Sequence, residues 1–160
     1  MPPEPALPDS DDIRLLTEIG FLAAGRGDLA RAEAIFGALL ALRPAKATGH
    51  VGVAMALLNR GRFADAAARL DAVALPPGED RDLVRAIQGL ALQLDRRQAE
   101  ATRLLRALAG QSAPPQGPSD GMRLARSLLG EPADPQNAID SEAALAVSTT
   151  TGAVFHESSK

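Results

Sequence analysis

Arg26-Gly27-Asp28-Leu29-Ala30-Arg31-Ala32 returns 34 residues later as Arg60-Gly61-Arg62-Phe63-Ala64-Asp65-Ala66. The same separation of 34 links Gly27 to Gly61, Ala32 to Ala66 and Phe36 to Leu70. Around these anchors the first copy reads Leu16-x2-Ile19-Gly20-x2-Ala23 and runs on to Pro44, and the second carries Ala54 and Ala66-x3-Leu70. A third copy, with one residue inserted, passes through Gly89, Ala101-x3-Leu105 and Leu108. A fixed period of this length marks stacked helix-turn-helix units, each too small to bury its apolar face alone.

The punctuation divides each copy into two helices. Ser10, Asp11 and Asp12 supply a cap and negative charge for a first helix over about Asp12 to Ala24. Gly25 and Gly27 permit a tight turn, since glycine enters the left-handed region freely. A second helix spans about Asp28 to Leu42 and stops before Pro44, which pushes its predecessor out of the α region. The next pair covers about Ala47 to Asn59 and Phe63 to Val73, ended by Pro76-Pro77-Gly78. Glu79, Asp80 and Asp82 open a fifth helix reaching Leu94, and Asp95-Arg96-Arg97 turns the chain without a glycine into a sixth over Gln98 to Ala109. Gly20, Ala32, Ala54, Ala66, Gly89 and Ala101 let paired helices approach closely, while Phe36, Leu70 and Leu105 fill the gap to the next unit.

The resulting expectation is an all-α fold. Residues 1–11 form a proline-rich, flexible arm and 12–109 the helical repeat domain. A linker with three prolines covers 110–120, and a short amphipathic helix over 121–130 caps the open end of the stack. Residues 131–160, rich in Ser, Thr, Ala and acids without clear periodicity, read as a disordered tail.

Composition agrees with helix. The apolar fraction of 46% is mostly Ala and Leu, with four Phe and no Trp or Tyr. Net charge is -3, with charges balanced through residue 110, so no basic face points to nucleic acid. The absence of cysteine excludes disulfides and thiolate chemistry. The proline-rich, acidic start lacks the basic and apolar parts of a signal peptide. Arg or Gly interrupts every apolar run well short of the ~20 residues of a membrane span. These features predict a cytoplasmic protein with no membrane span.

Chemistry-bearing motifs are sparse, and neither a cofactor nor a metal is expected. His50 and His156 are the histidines of the chain, far apart and without metal-site spacing. Ser148-Thr149-Thr150-Thr151 has no base beside it, and Gly25-x-Gly27 follows no strand as a phosphate loop would. Asp11-Asp12 and Glu79-Asp80 sit where helix starts already favour acids.

On the repeated residues above, the stretch 13–109 resembles the tetratricopeptide repeat family. The resemblance implies three repeats in a right-handed superhelix whose first helices line a concave groove. Carried over, the groove positions are Arg14, Thr17, Phe21 and Ala24; then Thr48, Val51, Met55 and Leu58; then Leu83, Ala86, Leu90 and Gln93. The partner-binding candidates among them are Phe21, Ala24, Val51, Met55, Leu58, Leu83, Ala86 and Leu90. Cochaperones of this family hold a peptide carboxylate with Lys and Asn, but here those positions carry Thr17, Phe21, Met55, Leu83 and Ile87. The implied ligand is instead a hydrophobic or amphipathic segment of another protein.

Three repeats, the acidic arm and the total length are similar to the tetratricopeptide-class chaperones of bacterial type III secretion, which keep hydrophobic export substrates soluble. The chain departs from that class in lacking tyrosine and in its 131–160 tail. The expected role is a non-catalytic binding module, with a secretion chaperone as the specific case. A scaffold acting through its convex face, or by self-association as a homodimer, is the alternative.

Overall fold

Asp9 starts the fold. Its carboxylate accepts from the amides of Asp11 and Asp12 at 2.8 and 2.9 Å, and the Asp12 carboxylate accepts from the Asp9 amide at 3.1 Å. This reciprocal capping box satisfies donors that a helix start leaves open. In the computed structural model, which describes residues 8–132, α1 accordingly begins at Ser10 and runs to Gly25. It therefore takes in two residues of the arm expected over 1–11. Residues 1–7 and 133–160, including most of the expected tail, lie outside the described residues.

Six more helices follow: α2 (Leu29–Leu42), α3 (Ala47–Asn59), α4 (Phe63–Asp71), α5 (Glu79–Leu94), α6 (Gln98–Ala109) and α7 (Asp120–Leu129). The described residues are all-helical, with no strand. Only α4 ends well short of the expected boundary. Val73 and Leu75 instead pack half-buried against the core from the segment leading to Pro76.

The turns repeat more faithfully than the side chains. Gly27, Gly61, Arg96 and Gly130 all have positive φ, between 63° and 76°. After each, the next amide reaches back to a helix carbonyl: Asp28 to Ala23, Arg62 to Leu57, Arg97 to Leu92 and Glu131 to Arg126, each at 2.9 Å. A second bond joins each positive-φ residue to the carbonyl three back. This is the Schellman ending, which consumes carbonyls that a helix end leaves free. It closes α1, α3, α5 and α7, at intervals of 34, 35 and 34 residues. By period and by ending, α7 is thus the first helix of a further unit as well as the cover expected for the open end. It packs against both α5 and α6.

Within each pair a small residue meets a large one. Phe36 is fully buried against Gly20, where an added Cβ would lie 2.8 Å from its Cζ. Leu105 stands against Gly89 in the same way. Ala32, Ala66 and Ala101 are wholly buried, as are Phe36, Leu70 and Leu105, in the roles that their spacing predicts. Between units, α3 packs on α1 and α2, and α5 on α3 and α4.

Polar ties fix the stacking. Asp80 at the start of α5 accepts from the amide of Ala47, the first residue of α3, at 2.8 Å and from Lys46 Nζ at 3.1 Å. Lys46, the N-cap residue of α3, has no side-chain acceptor of its own for that helix, so the next unit provides the cap. Asp82 accepts from the buried Ser119 hydroxyl at 2.7 Å, while Ser119 Oγ accepts from the Met122 amide and caps α7. The Asn59 amide group donates to the Ala24 carbonyl at 2.9 Å, tying the ends of α3 and α1.

Candidate functional site

The twelve groove positions fall into four rows along the stack, each holding one residue from α1, α3 and α5. The row Arg14, Thr48, Leu83 and the row Phe21, Met55, Leu90 are partly or largely exposed. The row Thr17, Val51, Ala86 turns inward: Val51 and Ala86 are buried and Thr17 is half-buried. In the row Ala24, Leu58, Gln93, the first two are buried.

Four of the eight candidate contact residues are therefore corrected. Ala24, Val51, Leu58 and Ala86 belong to the core in this state and offer no surface to a partner. The cause is helical geometry. A residue three positions from an exposed one is rotated about 60° around the axis, and on these helices that rotation carries it under the neighbouring first helix. Phe21, Met55, Leu83 and Leu90 keep accessible surface while also packing partly against the core. Phe21 is 38% exposed and sets its edge against Phe36, with ring centroids 5.0 Å apart at 65°. That contact fixes the ring's orientation without hiding it.

Arg14, Thr17 and Thr48 converge on one cleft of 310 Å³ between α1 and α3. Leu39, Arg43 and Lys46 also line it, brought there by the end of α2 and the following turn. Sequence reading missed these three because the resemblance lines the groove with first helices alone; the spacing of Leu39 from Phe36 on one face of α2 was the available signal. The Thr17 hydroxyl donates to the Ile13 carbonyl at 2.8 Å. Arg14 pairs with Glu18 at 3.9 Å and Lys46 with Asp80 at 3.1 Å, both at the surface. Burial raises the Asp80 carboxyl, but the Ala47 amide and Lys46 outweigh it and hold the group below the ordinary carboxylate value. At the other end Gln93 Nε2 donates to the Leu128 carbonyl at 3.1 Å, so this groove position is spent on α7.

Chemically the strip offers apolar area, with charge concentrated at the α1–α3 cleft. His50 is half-buried on α3. The buried polar side chains among the described residues, Gln88 and Ser119, are bonded to Asp71 and Asp82. No group of three His, Cys, Asp or Glu among the described residues is arranged to hold a metal. No helix there is long and apolar enough to cross a membrane.

Residues 23–91 match the family model described as Tetratricopeptide repeat, a span that covers α2 to α4 and most of α5. The match supports a tetratricopeptide-repeat protein, and repeats of this family generally mediate protein–protein interaction. No curated protein and no solved structure matches the chain significantly.

Proposed function

We propose that the chain is a non-catalytic module that holds an apolar or amphipathic segment of another protein along the row Phe21, Met55, Leu90, flanked by Leu83. The observation that carries this reading is the accessibility of large apolar side chains at the same register of three successive units. A contiguous exposed apolar strip is uncommon on a soluble monomer and usually marks a partner site. The reading places the strip on the concave side of a right-handed superhelix and the protein in the cytoplasm. It divides the chain at the boundaries set out above, with 12–109 as the repeat domain. The specific case is a chaperone that keeps its client's segment out of water, with a type III secretion substrate as the proposed client.

Arg14 and Lys46 at the α1–α3 cleft are engaged by Glu18 and Asp80, and Arg43 beside them suits an acid flanking the client's apolar segment. The test is calorimetric binding of the protein that co-purifies with the chain. Burial of a side chain of this size is worth about 1.5–3 kcal/mol. Met55→Glu replaces that gain with the desolvation of a charge. Affinity should fall at least tenfold, or about 1.4 kcal/mol. Circular dichroism controls for folding, and Phe21→Gln, at a more exposed site, provides a second variant. Unchanged affinity in both folded variants would remove the strip from the function and favour a convex-face scaffold.

A further inference from the structure

The largest exposed apolar side chains lie away from that strip. Leu15, Ile19 and Leu22 of α1 are 56%, 40% and 60% exposed. Their register explains the position. Ile19 corresponds to Val53, Gln88 and Met122 of the later units, and Leu22 to Ala56, Ala91 and Ala125, all of them buried. Leu15 corresponds to Gly49 and Val84, also buried. In α3, α5 and α7 this face packs on the preceding unit, whereas in α1 the described residues place nothing over it. Ile35, Ala38 and Leu42 continue the apolar surface on the α1 side of α2, where Ile35 lies against Gly20.

We propose that this face binds a second copy of the same chain, with two α1 helices packed antiparallel about a twofold axis. The argument is self-complementarity. Asp11, Leu15, Ile19, Leu22 and Arg26 form one stripe, within about 80° of each other around the helix. The stripe is palindromic: Asp11 and Arg26 lie equally far from its midpoint between Glu18 and Ile19, and so do Leu15 and Leu22. Antiparallel pairing about that midpoint sets Leu15 against the partner's Leu22 and Ile19 beside its counterpart. It brings Asp11 to the partner's Arg26 about 11 Å along the helix on either side. An isologous contact repeats each pair twice.

Glu18 flanks the axis, but Arg14 on the same helix already balances it. Head-to-tail stacking is disfavoured because α7 presents the exposed polar residues Asp120, Arg123 and Ser127 at the opposite end of the stack. The face lies off the Phe21–Met55–Leu90 row, so a dimer would leave both rows open.

Sedimentation of the full chain between about 1 and 100 µM tests the proposal, since dimers of modest area dissociate with dilution. Wild type should sediment as a dimer at the upper end, and Ile19→Glu as a folded monomer. Asp11→Arg alone and Arg26→Glu alone should each weaken dimerisation about five- to tenfold, as expected for two exposed pairs lost together. Combining them restores opposite charges and should return the dissociation constant to within about threefold of wild type. A wild type that stays monomeric at about 100 µM, a dimer that survives Ile19→Glu, or a double variant no stronger than the singles would each overturn the proposal.

Discussion

Gly52→Ala is the sharpest perturbation of the stack. Gly52 lies on α3 opposite Phe36, and a Cβ there would lie 2.2 Å from the ring's Cζ and 2.3 and 2.4 Å from its two Cε atoms. The ring has no retreat. It is fully buried, Gly20 also lies close to its Cζ, and the Phe21 ring packs on it with centroids 5.0 Å apart. The substitution also has a favourable part, because alanine in a helix interior is better than glycine by about 0.5–1 kcal/mol. Overpacking a filled core costs about 1–3 kcal/mol, so a net loss of about 1–2 kcal/mol is expected.

Gly37 provides the control. It is an exposed glycine on α2, and an added Cβ meets nothing within 4 Å. Gly37→Ala should therefore gain about 0.5–1 kcal/mol. The two variants should melt on opposite sides of wild type, separated by roughly 8 °C at about 4 °C per kcal/mol for a domain of this size. Urea unfolding followed at 222 nm, at one protein concentration, gives the free energies. Adding Phe36→Leu should make Gly52→Ala less costly by at least about 0.5 kcal/mol, a coupling expected of side chains in contact. A Gly52→Ala protein as stable as Gly37→Ala would refute the interlock at the α1–α2–α3 junction.

Two further substitutions probe the turns and the caps between units. Arg96 has φ +63° at the position held by Gly27 and Gly61, and Arg96→Gly should raise the free energy of urea unfolding by up to about 1 kcal/mol as left-handed strain is relieved against glycine's added chain entropy; a lower value would mean that the arginine side chain outweighs the strain. Asp80→Ala should cost about 0.5–2 kcal/mol at pH 7 through loss of the α3 cap. Because the folded Asp80 pKa lies below its unfolded value, that contribution is full above about pH 4 and fades as pH falls through the folded value. The gap between the two proteins should therefore narrow as pH falls below about 4, and a gap that stays constant throughout acid titration would count against the carboxylate.

The repeat and the order of α1 to α6 were legible because the turns carry their own chemistry: two glycines in phase, and acids at the helix starts. Arg96 read correctly as a turn without glycine since the flanking residues kept the phase. Gly130, 34 residues after Arg96, was the missed signal that made α7 a first helix, because no second-helix pattern was recognised after it. The cap donated by Asp80 was also out of reach, since Asp80 lies 33 residues from Ala47 and its acidic run already had a local explanation. The strip was half legible. The resemblance supplied the positions on each first helix but not the width of the open surface, which packing narrows by burying Ala24, Val51, Leu58 and Ala86.

Neighbours also explain why side-chain size varies along one register. Where the preceding unit is in place, the position of Leu22 carries alanine three times, in Ala56, Ala91 and Ala125. The position of Leu15 carries Gly49, whose added Cβ would lie 2.5 Å from Leu40. Small side chains there answer a close backbone approach, since interiors pack densely and leave little space. At α1 the same positions hold two leucines with more than half their surface in water. A position serving only as a solvated helix face gains nothing from leucine over alanine in helix propensity, whereas one meeting a more distant helix surface gains the burial of the larger group. The change from small to large residues thus falls at the one unit whose preceding-unit face is uncovered among the described residues. It separates the two surfaces of α1 by chemistry: Phe21 stays in register with Met55 and Leu90 of the strip, while Leu15 and Leu22 are larger than the residues at the same register of α3 and α5.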